Sequence, residues 1–116
     1  MSFFESVPND SASGFKNIAP AIELINPASV LLVDVREPDE FVGELGHIAG
    51  SKLIPMRGLL EVAAGWDRDA EIVLICRSGG RSMNCAEVLV RMGFSRVMNL
   101  AGGMIAWNRA GLAVER

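Results

Sequence analysis

Two stretches of the chain are almost continuously apolar and rich in β-branched residues, Val30 to Val35 (VLLVDV) and Glu71 to Ile75 (EIVLI). That pattern predicts strands covered on both faces. Between them, Pro38 among Glu37, Asp39 and Glu40 opens a short helix that Gly43 closes. Leu53 and Ile54 form a brief strand ahead of Pro55, and a short helix runs from Arg57 to Ala64. After the second strong strand comes CRSGGRS, then a helix whose Cys85, Val88, Leu89 and Met92 fall at i, i+3, i+4 and i+7 on one apolar stripe. Glu87 and Arg91 are spaced for an ion pair on its wet side. Gly93 is a left-handed stop, with Phe94 placed to fold back on Leu89. Val97 to Leu100 reads as a further strand, and Gly102-Gly103 leads into a last helix through Trp107 that Gly111 ends.

Before the first strong strand the pattern is weaker. Residues 1–17 mix Pro8, Asn9, Asp10, Ser11, Ser13 and Gly14 with Phe3, Phe4 and Phe15, and read as an irregular arm that packs on the domain or on a partner. Residues 18–116 form the domain proper. Ile18 begins an edge strand, and Pro20 opens a helix that Asn26 and Pro27 stop. Strands alternating with helices predict an α/β fold, with right-handed crossovers, a mainly parallel sheet and helices on both faces.

Composition narrows the function classes. The 116 residues fit one domain, and 50% hydrophobic with 22% charged is a globular balance. The net charge of -3 argues against a nucleic-acid footprint. No apolar run is long enough to span a membrane, and the first residues lack the basic start and apolar core of a secretory signal. A cytoplasmic location is expected. One histidine and two dissimilar cysteines make no metal-ligand set, and no organic cofactor is indicated. Nine arginines against two lysines favour planar anion recognition.

The chemistry concentrates at Cys76, between the end of a buried strand and the start of a helix, where ligands of open α/β sheets sit. Gly79 and Gly80 let the backbone curl and turn its N–H groups inward. Such a ring, ended by a helix N-terminus, binds anions. A free thiol is only about 3% ionised at neutral pH, and lowering its pKa by about 1.5 ionises about half of it. Inward N–H groups and nearby guanidinium charges supply that shift without a general-base histidine. Cys85, on the apolar stripe, reads as core filler.

CRSGGRS after an apolar strand resembles the active-site loop of the rhodanese-like sulfurtransferases, of thiosulfate sulfurtransferase type. Asp34-Val35-Arg36, Glu40-Phe41, Gly46-His47-Ile48, Gly50 and Ile54-Pro55 resemble the family's upstream signature, and Gly102-Gly103-Met104-Ile105-Ala106-Trp107 its downstream one. Leu53 stands where that pattern carries a polar residue. The resemblance implies five mainly parallel strands ordered 1-5-4-2-3, with the cysteine strand central. It also implies that Cys76 takes a sulfane sulfur from a donor such as thiosulfate, becomes a persulfide, and yields the sulfur to cyanide, a thiol or a protein. Arg77, Ser78, Gly79, Gly80 and Arg81 would bind the substrate, their N–H groups cradling the sulfur and the two arginines holding the anionic donor. Asp34 and Arg36 would support the loop, Arg36 pairing with an acid such as Glu40. His47 would be structural, and Met56, Leu59, Leu60 and Met104 would form an apolar rim.

Two other functions are compatible with the fold. One is a regulatory or protein-sulfur-relay module without small-molecule turnover. The other is a cysteine phosphatase or arsenate reductase, whose cradle typically places five residues between cysteine and arginine; here four separate Cys76 from Arg81. Either a monomer or a homodimer is compatible with the sequence.

Overall fold

The computed structural model describes residues 2–8 and 14–116. The expected arm residues Asn9 to Ser13 lie outside the described residues. Five strands form one sheet: β1 (Lys16–Ile18), β2 (Val30–Asp34), β3 (Lys52–Leu53), β4 (Glu71–Ile75) and β5 (Arg96–Leu100), in the order β1-β5-β4-β2-β3. The predicted order is observed, and every strand pairing among the described residues is parallel. The cysteine strand β4 is central, paired along its length from Val30↔Glu71 to Asp34↔Ile75.

Side chains alternate across this sheet and divide the core in two. Val33, Ile72, Leu74, Cys76 and Val97 face one side, where they meet Leu59 and Ala63 of α3 (Leu59–Ala63) and Cys85, Ala86 and Leu89 of α4 (Gly80–Arg91). Leu32, Val73, Ile75, Met98 and Leu100 face the other, against Met104 and Trp107 of α5 (Gly103–Arg109). Phe3 and Phe4 of the one-turn α1 (Phe3–Ser6) pack on this second side, and Phe15 is buried on the first. Lys16 Nζ donates to the Phe4 carbonyl at 2.7 Å, and the Phe4 N–H to Glu71 Oε1 at 2.7 Å, so the described ends of the arm are fastened to the sheet.

Some local expectations change. The helix expected from Pro20 to Asn26 is a 3-10 turn over Ile22–Leu24. Prolines bound the segment at both ends, and Asn26 takes φ 47 while its N–H donates to the Ala49 carbonyl at 2.9 Å, which fixes the chain in a turn. The helix α2 (Pro38–Phe41) is as predicted in place, with Glu37 and Glu40 forming a reciprocal capping box. The buried residues of α4 are Ser82, Cys85, Ala86 and Leu89, so its inner stripe begins one turn earlier than the apolar spacing implies. Arg91 Nε reaches the Glu87 carbonyl at 3.5 Å rather than its carboxylate. The helix ends as expected: Gly93 has φ 100, and the Phe94 N–H donates to the Leu89 carbonyl at 3.1 Å.

Candidate active site

Cys76 follows the last residue of β4, and α4 starts four residues later, so the connecting loop is held at both ends. Three donors converge on the sulfur. The Gly79 N–H lies 3.0 Å from Sγ, the Ser82 N–H 3.4 Å, and the Ser82 hydroxyl oxygen 3.2 Å. Burial pushes the Cys76 pKa up. The hydroxyl of Ser82 and the N–H groups of Ser82, Gly79 and Ser78 outweigh it and leave the thiol below its ordinary value. The cradle is thus centred on residues 78, 79 and 82. Ser82 lies outside the expected span of residues 77 to 81, and its burial on the first turn of α4 is what brings it to the sulfur.

The glycines differ in their tasks. Gly79 caps α4 at φ 102, a left-handed conformation that favours glycine. Gly103 sits at φ 57 where a Cβ would come within 2.4 Å of the Cys76 carbonyl oxygen. That close approach lets the first N–H groups of α5 clamp the loop: Met104 N donates to the Cys76 carbonyl at 2.9 Å and Ile105 N to the Arg77 carbonyl at 3.0 Å. With its carbonyls held outward by α5, the loop presents N–H groups to the sulfur.

The supporting charges pair differently from the expectation. Arg36 is buried against Asp34, with Nε–Oδ1 at 2.9 Å and Nη2–Oδ2 at 2.8 Å, and Nη2 also donates to the Gly46 carbonyl at 2.7 Å. It does not pair with Glu40. That carboxylate accepts from Arg81 instead, through Nη1–Oε1 and Nη2–Oε2, both 2.8 Å. Two residues of separation allow Asp34 and Arg36 to meet around the end of β2, whereas Glu40 on α2 faces the cysteine loop. The Arg81 hydrogen bonds hold the Glu40 pKa down at about 2 against the upward push of burial. Glu40 raises the Arg81 pKa in return. The fork of Arg81 is therefore occupied by α2, and Arg77 is the exposed loop cation without an ion-pair partner among the described residues. Ser78 and Gly80 are also exposed.

An open cleft of about 280 Å³ beside the loop is lined by Arg36, Asp39, Glu40, Glu44, Leu45 and Arg77. A second, apolar groove of about 220 Å³ is lined by Met56, Leu59, Leu60, Asn84, Cys85 and Val88. Three of the four expected rim residues stand there, but Met104 is fully buried on the opposite side of the sheet. Cys85 is 4% exposed, and burial, with the neighbouring Cys76, pushes its pKa up to about 11, as suits an inert thiol. His47 has Nδ1 2.7 Å from the Phe41 carbonyl and stacks on the Phe41 ring at 3.7 Å, a place in the loop scaffold. Trp107 is buried and its Nε1 donates to the Ala113 carbonyl at 3.0 Å. Trp66 packs edge-on against Phe94.

Comparison with known proteins agrees with this geometry. The model of the rhodanese-like domain matches residues 18–110. A sulfurtransferase of Allochromatium vinosum is 38% identical over 91 residues, covering 78% of this chain and 83% of that protein. The thiosulfate sulfurtransferase GlpE of Pseudomonas aeruginosa is 34% identical over 94 residues, covering 80% of this chain and 84% of its own. The crystal structure of a rhodanese-related protein from Thermoplasma volcanium superimposes with a TM-score of 0.73 at 31% identity, over 85% of this chain and 96% of that one. With its sheet order, its cysteine loop and these relatives in agreement, the chain belongs to the rhodanese-like domain family.

Proposed function

We propose that this protein is a sulfurtransferase in which Cys76 carries sulfur as a persulfide. The observation that carries the reading is the convergence of the Gly79 N–H, the Ser82 N–H and the Ser82 hydroxyl on one sulfur atom. Donors aimed at one atom stabilise negative charge there, first on the thiolate and then on the sulfur it holds. The thiolate attacks the outer sulfur of thiosulfate, the S–S bond of the donor breaks, and sulfite leaves with its electron pair. Cyanide or a thiolate then attacks the outer sulfur of the persulfide and restores the Cys76 thiolate. Two half-reactions through a covalent intermediate give ping-pong kinetics.

Arg77 is the guanidinium available to draw in an anionic donor. Arg81 supports the loop through Glu40. In an oxyanion-binding phosphatase cradle the loop arginine must face the bound anion, so the engagement of Arg81 favours the sulfur reading. Two free thiols fit a reducing compartment such as the cytoplasm. A small-molecule donor and a thiophilic acceptor, either small or a protein, are the partners of the reaction.

Mass spectrometry after incubation with thiosulfate tests the proposal. One sulfur atom is gained on Cys76, and cyanide removes it as thiocyanate. No gain on Cys76 and no thiocyanate would reject it, and a Cys76-dependent turnover of an aryl phosphate would favour the phosphatase reading.

A further inference from the structure

Ser82 has one hydroxyl proton and faces three acceptors. Asn99 Oδ1 lies 2.5 Å away, the Cys76 sulfur 3.2 Å and the Gly79 carbonyl 3.2 Å. Asn99 Nδ2 in turn donates to Asn17 Oδ1 at 3.1 Å. Asn17 and Asn99 are partners in the β1–β5 register, and alternation places both on the sheet face that carries Cys76 and α4. Asn99 is 1% exposed and Ser82 fully buried. An unmet polar group at such depth carries a desolvation penalty that an apolar residue would avoid. An amide at position 99 therefore calls for a reason beyond packing.

We propose that Asn99 is a positioning residue that sets the direction of the Ser82 hydroxyl, and so whether the Cys76 sulfur receives its proton. The proposal rests on the reading of Cys76 as the nucleophile. When the sulfur is a thiol, the side-chain donors run outward while the Gly79 and Ser82 N–H groups stay on the sulfur: S–H to Ser82 Oγ, the hydroxyl to Asn99 Oδ1, and Asn99 Nδ2 to Asn17 Oδ1. When the sulfur is ionised, the hydroxyl turns to it. Ser82 Oγ then needs a donor from the Asn99 side. A half-turn of the amide supplies one, because its oxygen and nitrogen exchange places at constant shape. No covalent bond changes; only proton directions and amide orientations do.

Leucine at position 99 removes this choice unequally. Beside a thiol, the Gly79 carbonyl still takes the hydroxyl proton. Beside a thiolate, Ser82 Oγ is left without a donor. The thiolate loses more than the thiol, and the pKa rises. The charged and titratable groups around the sulfur are Arg77 of the loop, Arg81 of α4 with its Glu40 partner on α2, and Cys85 of α4. All of them are retained in the variants that test the idea.

The experiment is ultraviolet titration of the Cys76 thiolate in the unsubstituted protein, Asn99→Leu, Ser82→Ala and the double variant. Cys85, pushed up to about 11, titrates above this range. Asn99→Leu raises the Cys76 pKa by about 1, roughly tenfold less thiolate at a given pH below it. The shift vanishes in the Ser82→Ala background, as a coupled pair requires. An equal shift in both backgrounds, or none in either, overturns the proposal. Asn99→Asp keeps the shape should leucine prevent folding. Its carboxylate only accepts and adds a negative charge, so the pKa rises, and by less in the Ser82→Ala background; an equal rise in both backgrounds, or none, overturns the proposal. The titration reads ionisation rather than sulfur transfer, so it stays decisive even if thiosulfate proves not to be a donor.

Discussion

Glu40 holds both terminal nitrogens of Arg81 at 2.8 Å, which ties α2 to the first turn of α4 across the mouth of the cysteine loop. The Glu40 carboxyl is held at about 2 in the folded protein, below the ordinary carboxylate value. A depressed folded pKa contributes stability that is present above the unfolded pKa and lost as pH falls through the folded one. Glu40 is 27% exposed and Arg81 36%, so solvent screening limits the contribution to about 1 kcal/mol. Urea unfolding midpoints should therefore fall between about pH 5 and pH 2, and Glu40→Gln should flatten part of that fall. A fall of the same size in Glu40→Gln would show that the pair does not contribute it.

The two adjacent glycines of the loop should answer oppositely to alanine. At Gly79, φ 102 is strained for any L side chain, and a Cβ would lie 3.2 Å from the Gly102 nitrogen. At Gly80 the helical position has open space around a Cβ. Gly79→Ala should destabilise by roughly 1–3 kcal/mol. Gly80→Ala should be neutral or stabilising by up to about 1 kcal/mol. Thermal melting compares them directly, and similar midpoints for the two variants would contradict the assigned loop geometry.

Arg36 offers a larger effect from a different cause. Its guanidinium and the Asp34 carboxylate are 1% and 0% exposed, and the same guanidinium also serves the Gly46 carbonyl. Arg36→Ala leaves a buried carboxylate without its partner, which costs roughly 3–5 kcal/mol. Chemical denaturation of Arg36→Ala and Asp34→Asn separates the charge from the geometry. Asp34→Asn strands the buried Arg36 guanidinium in turn, but its amide oxygen and the Gly46 carbonyl still accept from that guanidinium, so it should also destabilise, by less than Arg36→Ala.

The contrast between these pairs shows where sequence reading stops. The buried strands around Leu32 and Val73, the glycine turn after Cys76 and the paired glycines at 102–103 follow from local composition, so their places and the sheet class are legible. Which acid meets which arginine is not local. Asp34 rather than Glu40 meets Arg36 because the chain turns sharply after β2, and Glu40 meets Arg81 because α2 faces α4. Ser82 and Asn99 escape for a related reason. Ser82 looks like an ordinary first-turn serine, and Asn99 a lone polar residue in the strand Val97 to Leu100. Their meeting depends on the registers of β5 with β4 and β1. A polar residue inside an otherwise buried strand was the one available signal.

The thiols should differ sharply in reactivity. Cys76 lies below its ordinary pKa, whereas Cys85 is pushed up to about 11. The thiolate is the reacting form, so alkylation of Cys76 should rise with pH and level off below the pH expected of a free thiol, while Cys85 stays unmodified. Site-resolved mass spectrometry after short exposure to iodoacetamide at several pH values gives both profiles. Faster labelling at Cys85 than at Cys76 would contradict the placement of the cradle.

Arg77 and Arg81 should separate in kinetics, although both flank the same glycine pair. Arg77 is exposed, while both terminal nitrogens of Arg81 are committed to Glu40. Arg77→Ala should raise the KM for thiosulfate about threefold to tenfold, with less effect on kcat, and weaken the salt dependence of kcat/KM. This follows because an exposed charge acts on encounter with an anion and is screened by salt. Arg81→Ala should instead lower the melting temperature and reduce kcat, since it releases the loop from α2 and leaves the Glu40 carboxylate without its guanidinium partner. Steady-state kinetics at two ionic strengths, with melting curves on the same samples, tests both halves. If Arg81→Ala changed only KM while Arg77→Ala lowered the melting temperature, the division of roles between the arginines would be reversed.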